Sequence, residues 1–230
     1  MSNNQHEKLL EAILQHVVCD GWSETSVKAA GADLNLNAED AKLLCPRGAI
    51  DLAQAFHRAG DAAMVQAMSD ADLSGFRYSE KVAQALKFRV AAMSEHREAV
   101  RRASSLFALP QNTGEGAKLI WETADHVWKA LGDTSEDVNW YTKRATLSAV
   151  WAAVVLFWLG DESEGSEATS AFIDRRIEDV MRIEKAKAAF RENPLTRPFA
   201  SFQSSLLSGI RAPTDSEVDD LPGRWAPPKS

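Results

Sequence analysis

Residues 133–160 constrain the fold more than any other stretch. They open with Asp133-Thr134-Ser135-Glu136-Asp137, continue Asn139-Trp140-Tyr141-Thr142-Lys143-Arg144, and then carry no charge from Ala145 to Leu159. Gly132 is placed to stop the preceding helix, and Thr134 or Ser135 to cap the next one. Glu136 and Asp137 fall in the first turn, where the helix dipole favours carboxylates, and Gly160 offers a left-handed stop. The pattern predicts a helix of about 25 residues, roughly 37 Å long at ~1.5 Å rise per residue. Its uncharged part falls short of the ~20 apolar residues of a membrane span. A helix apolar on nearly all sides but shorter than a span is expected at the centre of a helical bundle.

On a helical wheel Trp140, Leu147, Trp151, Val154 and Trp158 share one face, with Arg144 close to it. Ala145, Ala149, Ala152 and Ala153 line the other side, where a neighbouring helix is expected to approach closely. The large rings either fill a core or line a cavity for an apolar ligand. At the amino end, Asp137, Asn139, Trp140, Tyr141 and Arg144 mix charge, amide and aromatic rings within two turns. That mixture is atypical of pure core and matches a recognition surface.

The remainder reads as helix throughout, and no strand pattern of useful length occurs, so the fold class is all-α. A triplet of short helices within residues 5–45, capped by Ser23 and Asn37 at its second and third members, has the order of a helix-turn-helix. Its last helix presents Ala38, Glu39, Asp40, Ala41 and Lys42. Two carboxylates against one ammonium oppose phosphate contact, and the net charge of −7 is against bulk affinity for nucleic acid. Longer amphipathic helices follow, one with a cap expected at Ser79, and another with Asn112 and Glu115 at its start and the stripe Ala117, Ile120, Trp121, Ala124, Val127, Trp128 and Leu131. The domain plan is a helical body over 1–193, an amphipathic helix over 194–211 and a disordered acidic tail over 212–230. In the second segment Phe199, Phe202, Leu206 and Ile210 form a stripe opposite four serines, fit either to dock on the bundle or to lie in a membrane interface. The polar, acidic amino terminus (Glu7, Glu11, Asp20) resembles neither a secretory signal nor a transit peptide.

Chemistry-bearing patterns are missing. No histidine follows a glutamate by three positions, Cys19 and Cys45 have no second thiol at metal-binding spacing, and no phosphate loop or nucleophile elbow is present. A non-enzymatic binding role without cofactor or metal is expected by elimination.

The residues Asp133-Thr134-Ser135, Asp137 and Asn139 to Ala145 resemble the ubiquinone-biosynthesis accessory family of the ninth coenzyme Q protein. Ala124-Asp125 with Trp128, and Phe172 with Asp174-Arg175-Arg176-Ile177, extend the likeness over about Trp121 to Ile177. The resemblance implies a tetracycline-repressor-like helical bundle that binds an isoprenoid quinone or phospholipid. Applied to this chain, the lipid-lining set becomes Trp121, Trp128, Leu147, Val150, Trp151, Val154 and Trp158. It also implies presentation of a quinone precursor to the demethoxyubiquinone hydroxylase through Asp137, Asn139, Trp140, Tyr141 and Arg144, and a membrane surface as partner through Phe199, Phe202, Leu206 and Ile210. A homodimer is expected because such folds commonly dimerise. Without a targeting segment, the expected place is the bacterial cytoplasm, peripherally at the inner membrane. The alternative expectation is a ligand-responsive transcriptional repressor.

Overall fold

The structure, a computed structural model, describes residues 2–192. Among them nine α-helices run in order: α1 (Ser2–Asp20), α2 (Glu24–Asp33), α3 (Ala38–Leu44), α4 (Ala49–Asp70), α5 (Tyr78–Ala91), α6 (Arg97–Phe107), α7 (Thr113–Ala130), α8 (Val138–Leu159) and α9 (Glu167–Glu192). The all-α expectation holds for these residues. The expected helix at 194–211, its membrane-facing stripe and the tail at 212–230 lie outside them.

The first three helices pack on one another, α1 also against α6 and α4. Ser23 caps α2 by accepting from the Ser26 N–H at 3.2 Å, and Asn37 caps α3 by accepting from Asp40 at 2.8 Å. The body is built from α4, α5, α7, α8 and α9, each helix packed on two or more of the others. Leu52, Phe56 and Met64 of α4, Leu86 of α5, Val127 of α7, Val154 of α8 and Ile173 of α9 are all buried in one continuous core.

Several expected helix ends differ. α5 begins at Tyr78 rather than after a Ser79 cap, because the Arg77 N–H is taken by the Glu80 carboxylate at 2.7 Å. Asn112 does not cap α7; its amide donates to Leu106 O, and Glu115 instead bonds Arg47 and Gln54 on the neighbouring chain segment. α8 starts two to three residues later than a cap at Thr134 or Ser135 would place it. Asp137 is its cap, accepting from the Asn139 N–H at 2.9 Å, while Ser135 turns back to donate to Asp133. Gly132 does adopt the left-handed conformation, with φ of 72°. Gly160 does not, with φ of −101°. The open carbonyls at the end of α8 are met instead by arginines of α6: Arg97 donates to Trp158 O and Asp161 O, and Arg101 to Leu159 O at 2.6 Å. Positive side chains there also complement the negative end of the helix dipole.

Candidate functional site

Alanine-rich and glycine-containing helix faces leave room between α5, α6, α7 and α8, and there an apolar cavity of about 410 Å³ opens. Its walls include Met93, Phe107, Ala117, Ile120, Trp151, Val155 and Trp158. Gly116 lets α7 approach α6 closely, since a Cβ there would press on Phe107. The mouth carries Ala152 and Leu156, and Leu156 is 70% exposed.

One end of the cavity wall is charged but closed. Arg89 is fully buried and donates to Asp61 Oδ1 at 2.6 Å and to His57 O at 2.8 Å. Thr123 donates to the same Asp61 oxygen at 2.9 Å, and His57 Nε2 lies 2.9 Å from Thr123 Oγ1. This network ties α4, α5 and α7 together. Burial, aided by the Arg89 charge, pushes the His57 pKa down to about 4, so at neutral pH its ring is uncharged. The other Asp61 oxygen has no hydrogen-bond partner and lies 3.5 Å from His126 Nδ1. Space for the guanidinium comes from Gly60, where a Cβ would collide with Arg89.

A second cavity of about 270 Å³ lies between α5, α7, α8 and α9. Val82, Leu147, Val150, Ile177 and Val180 form its aliphatic side, and Tyr78 stacks on Trp128 in its wall with ring centroids 6.0 Å apart. Asn139, Thr142 and Lys143 are among its polar lining.

The amino end of α8 holds an aromatic cluster. Trp140 and Tyr141 are half-buried and meet edge to face at 4.7 Å, and both touch Trp121 of α7. Beneath them Arg144 is 1% exposed. It donates to Asp125 at 2.6 Å and Asp133 at 3.3 Å, and its guanidinium sits 4.0 Å from the Trp140 ring centroid. Lys143 adds a 2.6 Å bond to Asp133. Burial alone would raise the Asp133 carboxyl, but hydrogen bonds from Lys143 and Ser135 bring it below its ordinary value.

The seven residues expected to line a lipid site therefore do not form one lining. Trp151 and Trp158 border the larger cavity, and Trp128, Leu147 and Val150 the smaller. Val154 is fully buried core, and Trp121 belongs to the aromatic cluster. Of the recognition residues, Asp137 and Asn139 are exposed and bonded to each other, while Arg144 is inside and holds Trp140 from behind. Arg144 is 1% exposed and its guanidinium is taken up by Asp125 and Asp133, so it presents no open surface here. The alanine side of α8 also differs from expectation. Ala145 and Ala149 are exposed, so no helix among the described residues covers that face. By length and composition α8 does pass as long and apolar enough to cross a membrane, contrary to the estimate from its uncharged part alone.

Asp61 and Arg89 were missed from sequence. The signal was present: Asp61 lies three and seven residues before the inward Met64 and Met68, and Arg89 three after the inward Leu86. Among the described residues no group of three or more His, Cys, Asp or Glu is arranged to hold a metal ion.

Residues 113–184 match the COQ9 family model. The chain is 30% identical over 191 residues to the probable ubiquinone biosynthesis protein coq9, mitochondrial, of Dictyostelium discoideum, covering 80% of this chain and 62% of that protein. To the ubiquinone biosynthesis protein COQ9, mitochondrial, of Homo sapiens it is 27% identical over 186 residues, covering 78% and 58%. It thus spans about 60% of the length of these relatives. In fold it is similar to the crystal structure of the TetR transcriptional regulator from Nitrosomonas europaea, with TM-score 0.64, 17% identity, and 76% and 97% of the two chains covered. The expected bacterial cytoplasmic place, peripheral to an inner membrane, is corrected by these relatives, whose names are mitochondrial. That expectation rested on the acidic amino terminus, and a chain matching part of its relatives gives no ground for reading a compartment from where it begins. The chain is thus similar to COQ9 proteins in sequence, over 113–184 by the family model, and to a TetR regulator in fold.

Proposed function

We propose that this protein is a non-enzymatic accessory protein of ubiquinone biosynthesis that holds the tail of an isoprenoid quinone or phospholipid in the larger cavity. The observation that carries this reading is the cavity itself: about 410 Å³, walled by Trp151, Trp158, Phe107 and Ile120, with its charged end already internally paired. Such a concave, mostly apolar site with few polar groups suits a lipid chain. The exposed mouth at Leu156 gives a chain a way in. The half-exposed pair Trp140 and Tyr141, with Asp137 and Asn139 beside it, is the surface assigned to the demethoxyubiquinone hydroxylase. Arg144 positions that surface without touching the partner. Phe199, Phe202, Leu206 and Ile210 are assigned to a membrane surface, which would bring the cavity close to its lipid.

The triplet α1–α3 is read as a helix-turn-helix that serves as scaffold, since Glu39 and Asp40 begin α3 where a groove-reading helix needs cations or amides. The uncovered face of α8 at Ala145 and Ala149 is assigned to a second copy of the chain in a homodimer.

Mass spectrometry of lipids extracted from the purified protein tests the central claim. An isoprenoid or phospholipid is expected from the unaltered chain and at least fivefold less from Ala117→Phe, which fills the cavity. Empty protein, or equal lipid in both, would refute it. Tight sequence-dependent DNA binding in a gel shift would instead support a transcriptional repressor.

A further inference from the structure

The partner surface assigned to Trp140 and Tyr141 is small for its task. A stable protein–protein contact covers ~800 Å² on each side, whereas these two rings are half-buried against Trp121. Further contact area has to come from the same end of the bundle. α4 and α7 run in the same direction, with Gln54 bonded to Glu115, His57 to Thr123, and Asp61 facing His126. The turn that leaves α4 therefore lies at the end where α7 finishes and α8 begins.

That turn carries Phe76 and Tyr78, 43% and 49% exposed, the most exposed aromatic side chains among the described residues. Residues 74–78 all face solvent, yet the segment is held in place. The Phe76 N–H donates to Leu73 O at 3.1 Å, and Glu80 accepts from the Arg77 N–H at 2.7 Å and from its guanidinium at 2.6 Å. Tyr78 stacks on Trp128. Rings fixed before binding lose little freedom on docking, which suits anchor residues. Two large rings in one fixed, open turn mark an interaction site rather than scattered apolar surface.

The two aromatic groups are joined. The Lys143 ammonium sits 5.6 Å from the Trp128 ring centroid and is bonded to Asp133, which also meets Arg144 beneath the Trp140 ring. Trp121 and Trp128, two turns apart on one face of α7, thus back the two ends of a single patch. Its rim is acidic. Asp72, Glu136 and Asp137 are exposed. Asp72 accepts from Ser74 and Asp137 from Asn139, bonds that neutralise neither carboxylate. Such a rim repels an anionic bilayer and complements a protein face that carries lysine or arginine around an apolar centre.

We propose that Phe76 and Tyr78 form the second half of the protein-docking surface begun by Trp140 and Tyr141, and that the partner meets it with an apolar ridge rimmed by basic residues. The inference rests on the reading of Trp140 and Tyr141 as the partner surface, and adds to it the α4–α5 turn and the sign of the partner's charge.

The test is interferometry with purified demethoxyubiquinone hydroxylase on the immobilised full chain, beside co-sedimentation with vesicles of mixed phosphatidylcholine and phosphatidylglycerol. Phe76→Ser, and separately Tyr78→Ala, should weaken hydroxylase binding about tenfold or more. Leu109→Ala, at a position as exposed as Phe76 but at the opposite end of α7, should change it by about twofold at most. Asp72→Lys should weaken it too, and more at low salt than at high salt. Phe76→Ser decides, because Tyr78 also supports Trp128: unchanged hydroxylase binding in that variant overturns the proposal. Where Trp140→Ala still abolishes binding, the Trp140 reading stands without it. A chain that binds no hydroxylase removes both. A loss in Leu109→Ala as large as in Phe76→Ser, a gain of affinity in Asp72→Lys, or loss of vesicle binding alone in Phe76→Ser also overturns the proposal.

Discussion

Arg144→Ala separates a positioning arginine from a contacting one. The side chain is buried, and removing one partner from a buried charge pair costs ~3–5 kcal/mol in general. Here neither carboxylate is left alone: Asp125 keeps Lys129 at 2.9 Å and Asp133 keeps Lys143 at 2.6 Å. The cost therefore falls at the low end, about 3 kcal/mol, part of it the cation under the Trp140 ring, worth ~0.5–2 kcal/mol. For a chain of this size ~2–4 °C of melting temperature corresponds to each kcal/mol, so a drop of about 6–12 °C is expected by circular dichroism. Arg144→Lys should recover only part of it, because one ammonium cannot bond both aspartates in the planar fork geometry. Trp140→Ala and Tyr141→Ala, at half-buried positions, should each cost about 1–2 kcal/mol, below the ~3–5 kcal/mol of a fully buried aromatic. Hydroxylase capture should fall in all three variants. A melting temperature unchanged in Arg144→Ala, or a loss in Trp140→Ala as large as for a core tryptophan, would refute this division of roles.

Acid should weaken the fold through His57: its pKa is depressed from 6.5 to about 4, so the unfolded chain takes up the proton first. That contribution is complete above pH 6.5 and is lost between 6.5 and 4, by up to about 3 kcal/mol at ~1.4 kcal/mol per pKa unit; His57→Gln should flatten this part of the denaturant-midpoint profile, and an unaltered profile would contradict it. Ala149→Glu, on the uncovered α8 face, should convert a dimer to a monomer in light scattering with little change in melting temperature; a dimer that persists removes that face from the interface. A double-mutant cycle between Val150→Phe and Arg144→Ala should show coupling above ~0.5 kcal/mol, whereas Ala117→Phe with Arg144→Ala should be additive within that margin.

Periodicity made the helices legible because each buries one face, and the period survives whatever the partner is. Ser23 and Asn37 were legible as caps because a short side chain at those positions has one local donor to meet. Asn112 and Ser79 failed for the opposite reason, a nearby competitor: Leu106 O attracts the Asn112 amide, and Glu80 satisfies the Arg77 N–H before Ser79 is needed. The wheel of α8 correctly grouped Trp151 with Trp158, yet could not tell which neighbour each ring meets. Trp128, Leu147 and Val150 face α5 and α9 rather than α6, and only the packing of those helices divides one expected lining into two cavities. Arg144 was read as surface because charge usually is. Its burial depends on Asp125 and Asp133, one on the preceding helix and one in the loop, whose convergence no local pattern encodes.

The expected coupling between Val150 and Arg144 follows from bonds rather than from distance. Lys143 lines the smaller cavity and is bonded to Asp133, whose second oxygen meets Arg144, whose guanidinium underlies Trp140. A group that displaces Lys143 must therefore change the sharing of Asp133 between two cations, and with it the support of the Trp140 ring. The charged residues of the larger cavity, Arg89 and His57, are instead bonded to α4 and α7 through Asp61 and Thr123. α8 itself is fixed at both ends, by Asp137 and the Arg144 pairs at the start and by Arg97 and Arg101 at the finish. Strain from Ala117→Phe is thus expected to stay at that far end, and strain from Val150→Phe to reach Trp140.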